Sequence, residues 1–501
     1  MNLKRRLPSP ITILMGVIIL AAIATWLIPA GKYDTLSYTD GVFFKYATAQ
    51  KDSVLPFTQQ TLDNLKINIS LDKFKSGAIR KPVSVPGSYR QIPASKQSLV
   101  QVLQAPIKGI YNSLEIIFFI LFIGGFMQIF NESGAMVKGL SALSYRMKGK
   151  EAWLIIVITF LFSFAGSSYG MAEEALVFYP VLVPIFLASG YDLVVPVAVI
   201  FGGTQLGSLS SFTNPFSTII ASNAAGVNWA DGLSERIIMF VLTTIITIWY
   251  IVKYANRIKK NPQASVVFKT DGAIASPYPA LAVTDKATAP LDNKTKVLLL
   301  LFLATFLMMI GGVVFLEWWL LEMTALFLTA SILLAIVLRM KEIDFIKEFI
   351  KGAQGLLAVA LIVGVARGVT VILNEGHISD SIIFYAANLV STLPPALFIV
   401  MLLVLYMLFT LFISSTSGMA VLTMPIMGAL AVLVNVPGRE IVNAYLFGMG
   451  IMGFITPTGL ILPSLALVNI SIKAWWRFVY PLLLILFIVC ALCLVVSIYL
   501  K

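Results

Sequence analysis

An apolar run from Trp153 to Phe164 stops at Gly166-Ser167-Ser168-Tyr169-Gly170 and resumes from Ala175 to Ala188, carrying Glu173 and Glu174 with it. Few features constrain a fold more. Backbone that leaves helical geometry inside a membrane is tolerated only where it is buried in protein or lines a water-filled cavity. Carboxylates there are costly and need a partner or water. A related stretch, Ser414-Ser415-Thr416-Ser417-Gly418-Met419-Ala420, stands near the other end of the chain. The expectation is two copies of one membrane unit whose broken stretches meet at a substrate site.

Composition supports the membrane reading. Of 501 residues 58% are hydrophobic and only 12% charged, whereas a soluble domain carries about a quarter charged residues. Many runs reach the roughly 20 apolar residues that span a bilayer. The net charge of +12 is no sign of nucleic acid, because the basic residues sit in loops between apolar runs, as the positive-inside bias requires. Lys4, Arg5 and Arg6 precede the apolar run Ile11 to Ile28, which ends Pro29-Ala30-Gly31 without a clear cleavage site. It reads as an uncleaved first helix with a cytoplasmic N-terminus. Cys490 and Cys493 lie in an apolar run and His377 is the single histidine. Packing cysteines and one loop histidine give no redox pair, no metal site and no catalytic set.

The chain divides into a first helix (1–29), an extracytoplasmic insertion (30–105), a transport repeat (106–253), a cytoplasmic linker (254–293), a helical pair (294–340) and a second, inverted repeat (341–501) with Lys501 outside. The insertion predicts strands. Tyr38 to Phe44 has a hairpin turn at Asp40-Gly41, and Leu65 to Leu71 alternates with period two. Trp318, Trp319, Trp475 and Trp476 read as interfacial belts, and Glu317 and Glu322 as structural charges near a span end.

The repeat is read from order and spacing. Gly125, Asn131 and Glu132 match Gly368, Asn374 and Glu375, with Asn131 and Asn374 lying 243 positions apart. Gly170-Met171-Ala172 matches Gly418-Met419-Ala420, and Asn214-Pro215 answers Thr456-Pro457. Glu132 leads into basic, cytoplasmic sequence. Glu375 ends a helix that began beside Lys347 and Lys351, so it lies outside. The same element thus crosses in opposite directions, the signature of secondary transporters that work by alternating access. The fold class is an all-α polytopic membrane protein of inverted-topology repeats with broken helices and re-entrant hairpins, plus the strand-containing insertion.

Four interruptions, 166–170, 207–215, 414–418 and 455–459, supply the candidate site. Broken helices offer free N–H groups to anions and carbonyls to cations. The candidate substrate-binding residues are Gly170, Glu173, Glu174, Ser211, Thr213 and Asn214 in the first repeat. In the second they are Arg367, Ser415, Thr416, Ser417, Gly418, Thr456 and Thr458. Adjacent helical positions point about 100° apart, so one glutamate is expected to hold a cation and the other to pair structurally. Arg367 lies inside an apolar span and must be paired or bind a substrate carboxylate.

At Leu27-Ile28-Pro29-Ala30-Gly31 with Tyr33, Gly170 to Glu174, Asn214-Pro215-Phe216, Ser417-Gly418 with Met424-Pro425-Ile426-Met427, and Pro457-Thr458, the chain resembles the YfcC branch of the DcuC family of anaerobic C4-dicarboxylate carriers, within the ion transporter superfamily. The resemblance implies secondary transport in a bacterial inner membrane, a two-repeat fold and a homodimer. It associates the branch with basic amino acids and arginine/ornithine exchange, which the paired glutamates fit better than a dianion. The expected function is secondary transport of small charged organic solutes, above all amino acids. The alternatives are a C4-dicarboxylate carrier coupled to sodium or protons and, in another class, an ion channel. No cofactor is expected beyond Na+ or H+ as coupling ion, with a sodium site near Asn214 and Thr456.

Overall fold

The computed structural model describes residues 9–39, 43–48, 51–67, 69–75, 79, 82–135, 138–139, 150–168, 170–268, 292–316, 318, 320–413 and 415–499. Eight helices among them are long and apolar enough to cross a membrane. Helix α1 (Pro10–Leu27) starts at Ser9, whose hydroxyl accepts the Thr12 N–H, and proline stands at its first position. Both are regular helix starts.

The insertion follows. Strand β1 (Gly31–Lys32) pairs antiparallel with β6 (Arg90–Gln91). Strands β2 (Thr35–Thr39), β3 (Phe43–Ala47), β4 (Asp52–Pro56) and β5 (Val83–Ser84) form a sheet in the order β4-β3-β2-β5. The expected hairpin is β2–β3, with Thr39 opposite Phe43; its Asp40-Gly41 turn lies outside the described residues. Among the described residues of Leu65 to Leu71 the expected strand is not found. Ile67 and Ile69 are buried as the alternation required, but they sit between two short helices, α2 (Gln59–Asn64) and α3 (Leu71–Lys75). They fill the insertion's own core with Leu36, Phe44, Leu62 and Phe74. Period two placed the side chains correctly, but no neighbouring strand offers hydrogen bonds.

Helices α4 (Leu99–Tyr111) and α5 (Leu114–Glu132) come next. The first repeat continues with α6 (Glu151–Ser168), a 3-10 turn (Glu173–Phe178), α7 (Tyr179–Ala188), α8 (Val194–Leu209), a π turn (Pro215–Ile219), α9 (Ile220–Ala225) and α10 (Leu233–Lys260). The helical pair is α11 (Asn293–Leu316) and α12 (Leu320–Leu338). The second repeat holds α13 (Glu342–Glu375), α14 (Ser379–Val390), α15 (Pro395–Phe412), α16 (Thr416–Leu433), α17 (Gly438–Gly453), α18 (Ile461–Val468) and α19 (Ile472–Tyr499). Glu317 and Trp319 lie outside the described residues.

The repeat is visible as packing. Residues 99–132, broken only at Asn112-Ser113, correspond to the unbroken α13 at the same 243-position offset as Asn131 and Asn374. The two copies pack on each other antiparallel. A Cβ at Gly124 would meet the Gly352 carbonyl at 2.5 Å, and one at Gly109 the Gly364 carbonyl at 2.4 Å. Gly109 and Gly352 are themselves repeat-related, as are Gly124 and Arg367, whose carbonyl carbon would lie 3.1 Å from a Cβ at Gly109, so the two crossings are related by a pseudo-two-fold axis. Small residues allow such close backbone approach between membrane helices. Elsewhere α6 packs on α8 as α15 packs on α17, and α12 on α5 as α1 on α13. The α6–α8 and α15–α17 pairs run parallel, so 151–188 and 395–433 are hairpins that enter and leave on one face each. One face of the molecule carries the insertion and the other the start of the linker, Pro262 to Phe268.

Trp475 is a correction to the interfacial-belt expectation. It is 1% exposed, and its indole N–H donates to the Phe454 carbonyl at 2.8 Å. It props the second break from within.

Candidate functional site

The two breaks of the first repeat are tied together. Helix α6 ends at Ser168, and the Ser167 carbonyl accepts the N–H groups of Phe212, Thr213 and Asn214 at 3.3, 3.2 and 3.1 Å. Asn214 Nδ2 donates to the Gly166 carbonyl at 3.1 Å, and Thr213 Oγ1 to the Ser168 carbonyl at 3.0 Å. Gly170 turns the chain with φ +86°, and a Cβ there would meet Asn214 Oδ1 at 2.7 Å. Only glycine satisfies both demands. Ser211 is buried against the hydroxyls of Ser217 and Thr218 at 3.2 and 2.6 Å.

The second repeat repeats the device with other residues. Thr456 Oγ1 donates to the Thr410 carbonyl and Thr458 Oγ1 to the Leu411 carbonyl, both at 3.3 Å, and the two hydroxyls lie 3.0 Å apart. Ser415 Oγ accepts the Gly418 N–H at 3.1 Å, and the Thr416 carbonyl accepts the Tyr445 hydroxyl at 3.0 Å. Ser417 lies in the first turn of α16. In both copies a threonine hydroxyl caps the carbonyl end of the hairpin's first arm, where backbone acceptors would otherwise be orphaned.

Three of the thirteen candidates, Glu173, Arg367 and Thr458, line one small, half-open pocket of about 60 Å³. Ile116 of α5, Val363 and Ala366 of α13, Gly459 and Leu460 complete it. It therefore joins the tip of the first hairpin, the break of the second repeat and the antiparallel helix pair. Neither the Glu173 carboxylate nor the Arg367 guanidinium makes an ion pair or side-chain hydrogen bond among the described residues. Glu174 turns the other way. It is 7% exposed, and its Oε2 accepts the Ala172 N–H at 2.9 Å. The other ten candidates do not line this pocket.

A second set of charges escaped the sequence reading. Arg236 is 1% exposed, donates from Nε to the Gly232 carbonyl at 2.8 Å and bonds the Trp229 carbonyl. Glu440 is 0% exposed and accepts from Ser497 Oγ at 2.6 Å, Arg439 Nε at 3.0 Å and Asn443 Nδ2 at 3.2 Å. Arg236 follows Glu235 and Glu440 follows Arg439 at helix starts, a pattern shared with solvated interface charges. The one available signal was that Ser497, near the end of the last apolar run, needed a partner.

Comparison with known proteins follows the same lines. The family model of the C4-dicarboxylate anaerobic carrier, DcuC, matches residues 7–499. An uncharacterised Haemophilus influenzae protein is 37% identical over 98% of this chain and 97% of its own length. The putative basic amino acid antiporter YfcC of Escherichia coli is 29% identical over 96% of this chain and 94% of its own. Among solved structures, the YdaH transporter of Alcanivorax borkumensis aligns over 98% of this chain and 99% of its own at 14% identity, with a TM-score of 0.41. With the multi-span architecture described above, the match along nearly the whole length shows that this chain belongs to the DcuC family of membrane transporters.

Proposed function

We propose that the chain is a secondary active transporter of small charged organic solutes carrying an ammonium or guanidinium group together with a carboxylate, such as basic amino acids. It would act by alternating access in a bacterial inner membrane. The observation that carries this reading is the pocket in which Glu173 and Arg367 stand together with no side-chain partner among the described residues, and which Thr458 also lines. Opposite charges that leave each other unpaired can each take one end of a zwitterionic solute. A charge-assisted hydrogen bond contributes about 1.5–3 kcal/mol, so two such contacts suit the micromolar to millimolar range of a carrier that must also release its load. The likeness to the putative basic amino acid antiporter supports the same class.

A dicarboxylate is the second reading, favoured by the family's description. It would engage Arg367 and helix-end N–H groups, leaving Glu173 to proton coupling. Counterflow in proteoliposomes decides between them, with labelled arginine and labelled succinate at fixed pH, with and without sodium. Arginine-only counterflow supports the zwitterion site, and succinate-only counterflow the second reading. Unitary currents without saturation would replace the carrier by a channel.

A further inference from the structure

The pseudo-two-fold axis makes the pocket asymmetric in a way that bears on direction. In the antiparallel pair, Gly124 meets Gly352 and Gly109 meets Gly364 and Arg367. The axis therefore crosses near Ile116 and its counterpart Val359. Arg367 lies about 10 Å from the axis toward the insertion face. Its repeat counterpart, by the same offset that relates Asn131 to Asn374, is Gly124, about as far toward the linker face. Glu173 likewise corresponds to Val421, three residues after the matched Gly170 and Gly418. The counterparts of Val363 and Ala366 are Ile120 and Ile123. Every one of these counterparts with a side chain is buried: Ile120 2%, Ile123 2%, Val359 4% and Val421 4% exposed. The pocket's own Ile116, Val363 and Ala366 are buried as well, so the two sides differ in charge at these positions rather than in burial; further toward the linker face Lys351 pairs with Glu132 and Glu348.

The two repeats also sit differently on the scaffold pair. In the second, α18 packs on α13. Its counterpart α9 packs instead on α16, and the first hairpin touches α5 through residues 173–178. Exchanging the two arrangements would seat α9 against α5 and open the counterpart path to the linker face. Inverted repeats alternate by such exchange.

We propose that Arg367 is a one-sided ligand. It meets the solute only when the pocket faces the insertion side, and the solute leaves toward the linker side past the uncharged counterparts Ile120, Ile123, Val359 and Val421. Gly124 cannot substitute for Arg367 there, because a Cβ at 124 would lie 2.5 Å from the Gly352 carbonyl. This rests on the transporter reading above. It adds that apparent affinity differs between faces, and that one residue sets the difference.

The test uses the full-length protein in right-side-out and inside-out membrane vesicles, with labelled arginine and succinate as probes. For the transported solute, half-saturation at the insertion face should be lower than at the linker face by roughly 10- to 100-fold, the equivalent of one charge-assisted contact. In Arg367→Gly that ratio should collapse toward one, and Arg367→Lys should restore part of it. Equal weakening at both faces would overturn the proposal. A second readout needs no solute. In a Cys490→Ala, Cys493→Ala background, an impermeant maleimide applied from the linker face should label Ile123→Cys and Val421→Cys. Absence of labelling at both, in protein that remains folded, would overturn the linker-side path. If wild type moves neither arginine nor succinate, both solute assignments fall, and the labelling alone decides the path.

Discussion

Glu173 and Glu174 are neighbours in sequence and opposites in surroundings. Glu173 faces the pocket with Arg367, whereas Glu174 is buried and folds back onto the Ala172 N–H. Glu173→Gln should abolish solute uptake while leaving the thermal midpoint near wild type. Glu174→Gln, which keeps an acceptor for that N–H, should retain uptake. The reverse pattern in counterflow would exchange their roles. That one of the two faces a cavity was legible in the sequence from the 100° between adjacent helical positions. Which one was not, because the chain enters this segment as a 3-10 turn after a break, and no periodicity runs through a break. Arg367 was legible because an arginine eight positions from its helix end has no water to reach. Thr456 and Thr458, read as ligands, also cap the Thr410 and Leu411 carbonyls. The sequence shows their hydroxyls but not the carbonyl ends they meet, some 46 residues away. At the insertion, Asp380 Oδ2 accepts the Tyr33 N–H at 2.9 Å. Burial raises its carboxyl above the ordinary aspartate range, although the Tyr33 bond and Lys32 pull the other way. The folded chain therefore holds this proton where the unfolded chain has released it. The group's contribution is full below the ordinary aspartate value and falls as pH rises through the folded one. The thermal midpoint of wild type minus that of Asp380→Asn should accordingly decline with rising pH across that window.

Between elements, glycine decides how near two backbones come. A Cβ at Gly207 would lie 2.2 Å from the Ser163 carbonyl, and one at Gly448 2.6 Å from the Leu403 carbonyl, at equivalent crossings of α8 on α6 and α17 on α15. Gly207→Val or Gly448→Val should each cost about 1–3 kcal/mol by overpacking, read as a lowered thermal midpoint in detergent. A substitution at half-buried Gly16, where nothing lies within 4 Å, should not. The insertion is held to α14 by similarly specific contacts. The Gly31 N–H donates to the His377 carbonyl at 2.9 Å, and Tyr89 stacks on Phe384 at 4.0 Å while its hydroxyl donates to Ser381 at 3.0 Å. Tyr89→Ala should therefore loosen the insertion, read as faster proteolysis between residues 30 and 98 at unchanged helix content. Hydropathy and turn residues made the membrane helices and the β2–β3 hairpin legible. Docking was not, because Tyr89 and Phe384 are almost 300 positions apart and neither stands in a motif.

The whole molecule is organised about the antiparallel pair of 99–132 and α13, with the broken helices and hairpins arranged against it. The inverted repeat was legible because three matches kept their order and their offset. The axis itself was not, since it is a property of contacts such as Gly109 with Gly364. If solute movement requires the hairpin units to shift on this pair, fixing them in place should stop it. Ala366→Cys with Leu460→Cys, in the background lacking Cys490 and Cys493, should cross-link across the pocket wall. Counterflow should then be lost and return with reductant. Full activity in the cross-linked protein would mean that the pocket wall is static during transport.

The glycine at position 124 carries a consequence for descent. Two copies that began alike can diverge only where space allows. At 367 the second copy could acquire an arginine, but at 124 the opposing Gly352 carbonyl bars any side chain. A charged side chain fits the second copy at this position, and its mirror image does not fit the first. If Arg367 acts from one face as proposed, the halves are no longer exchangeable, and a repeat with no inherent polarity would have gained a front and a back.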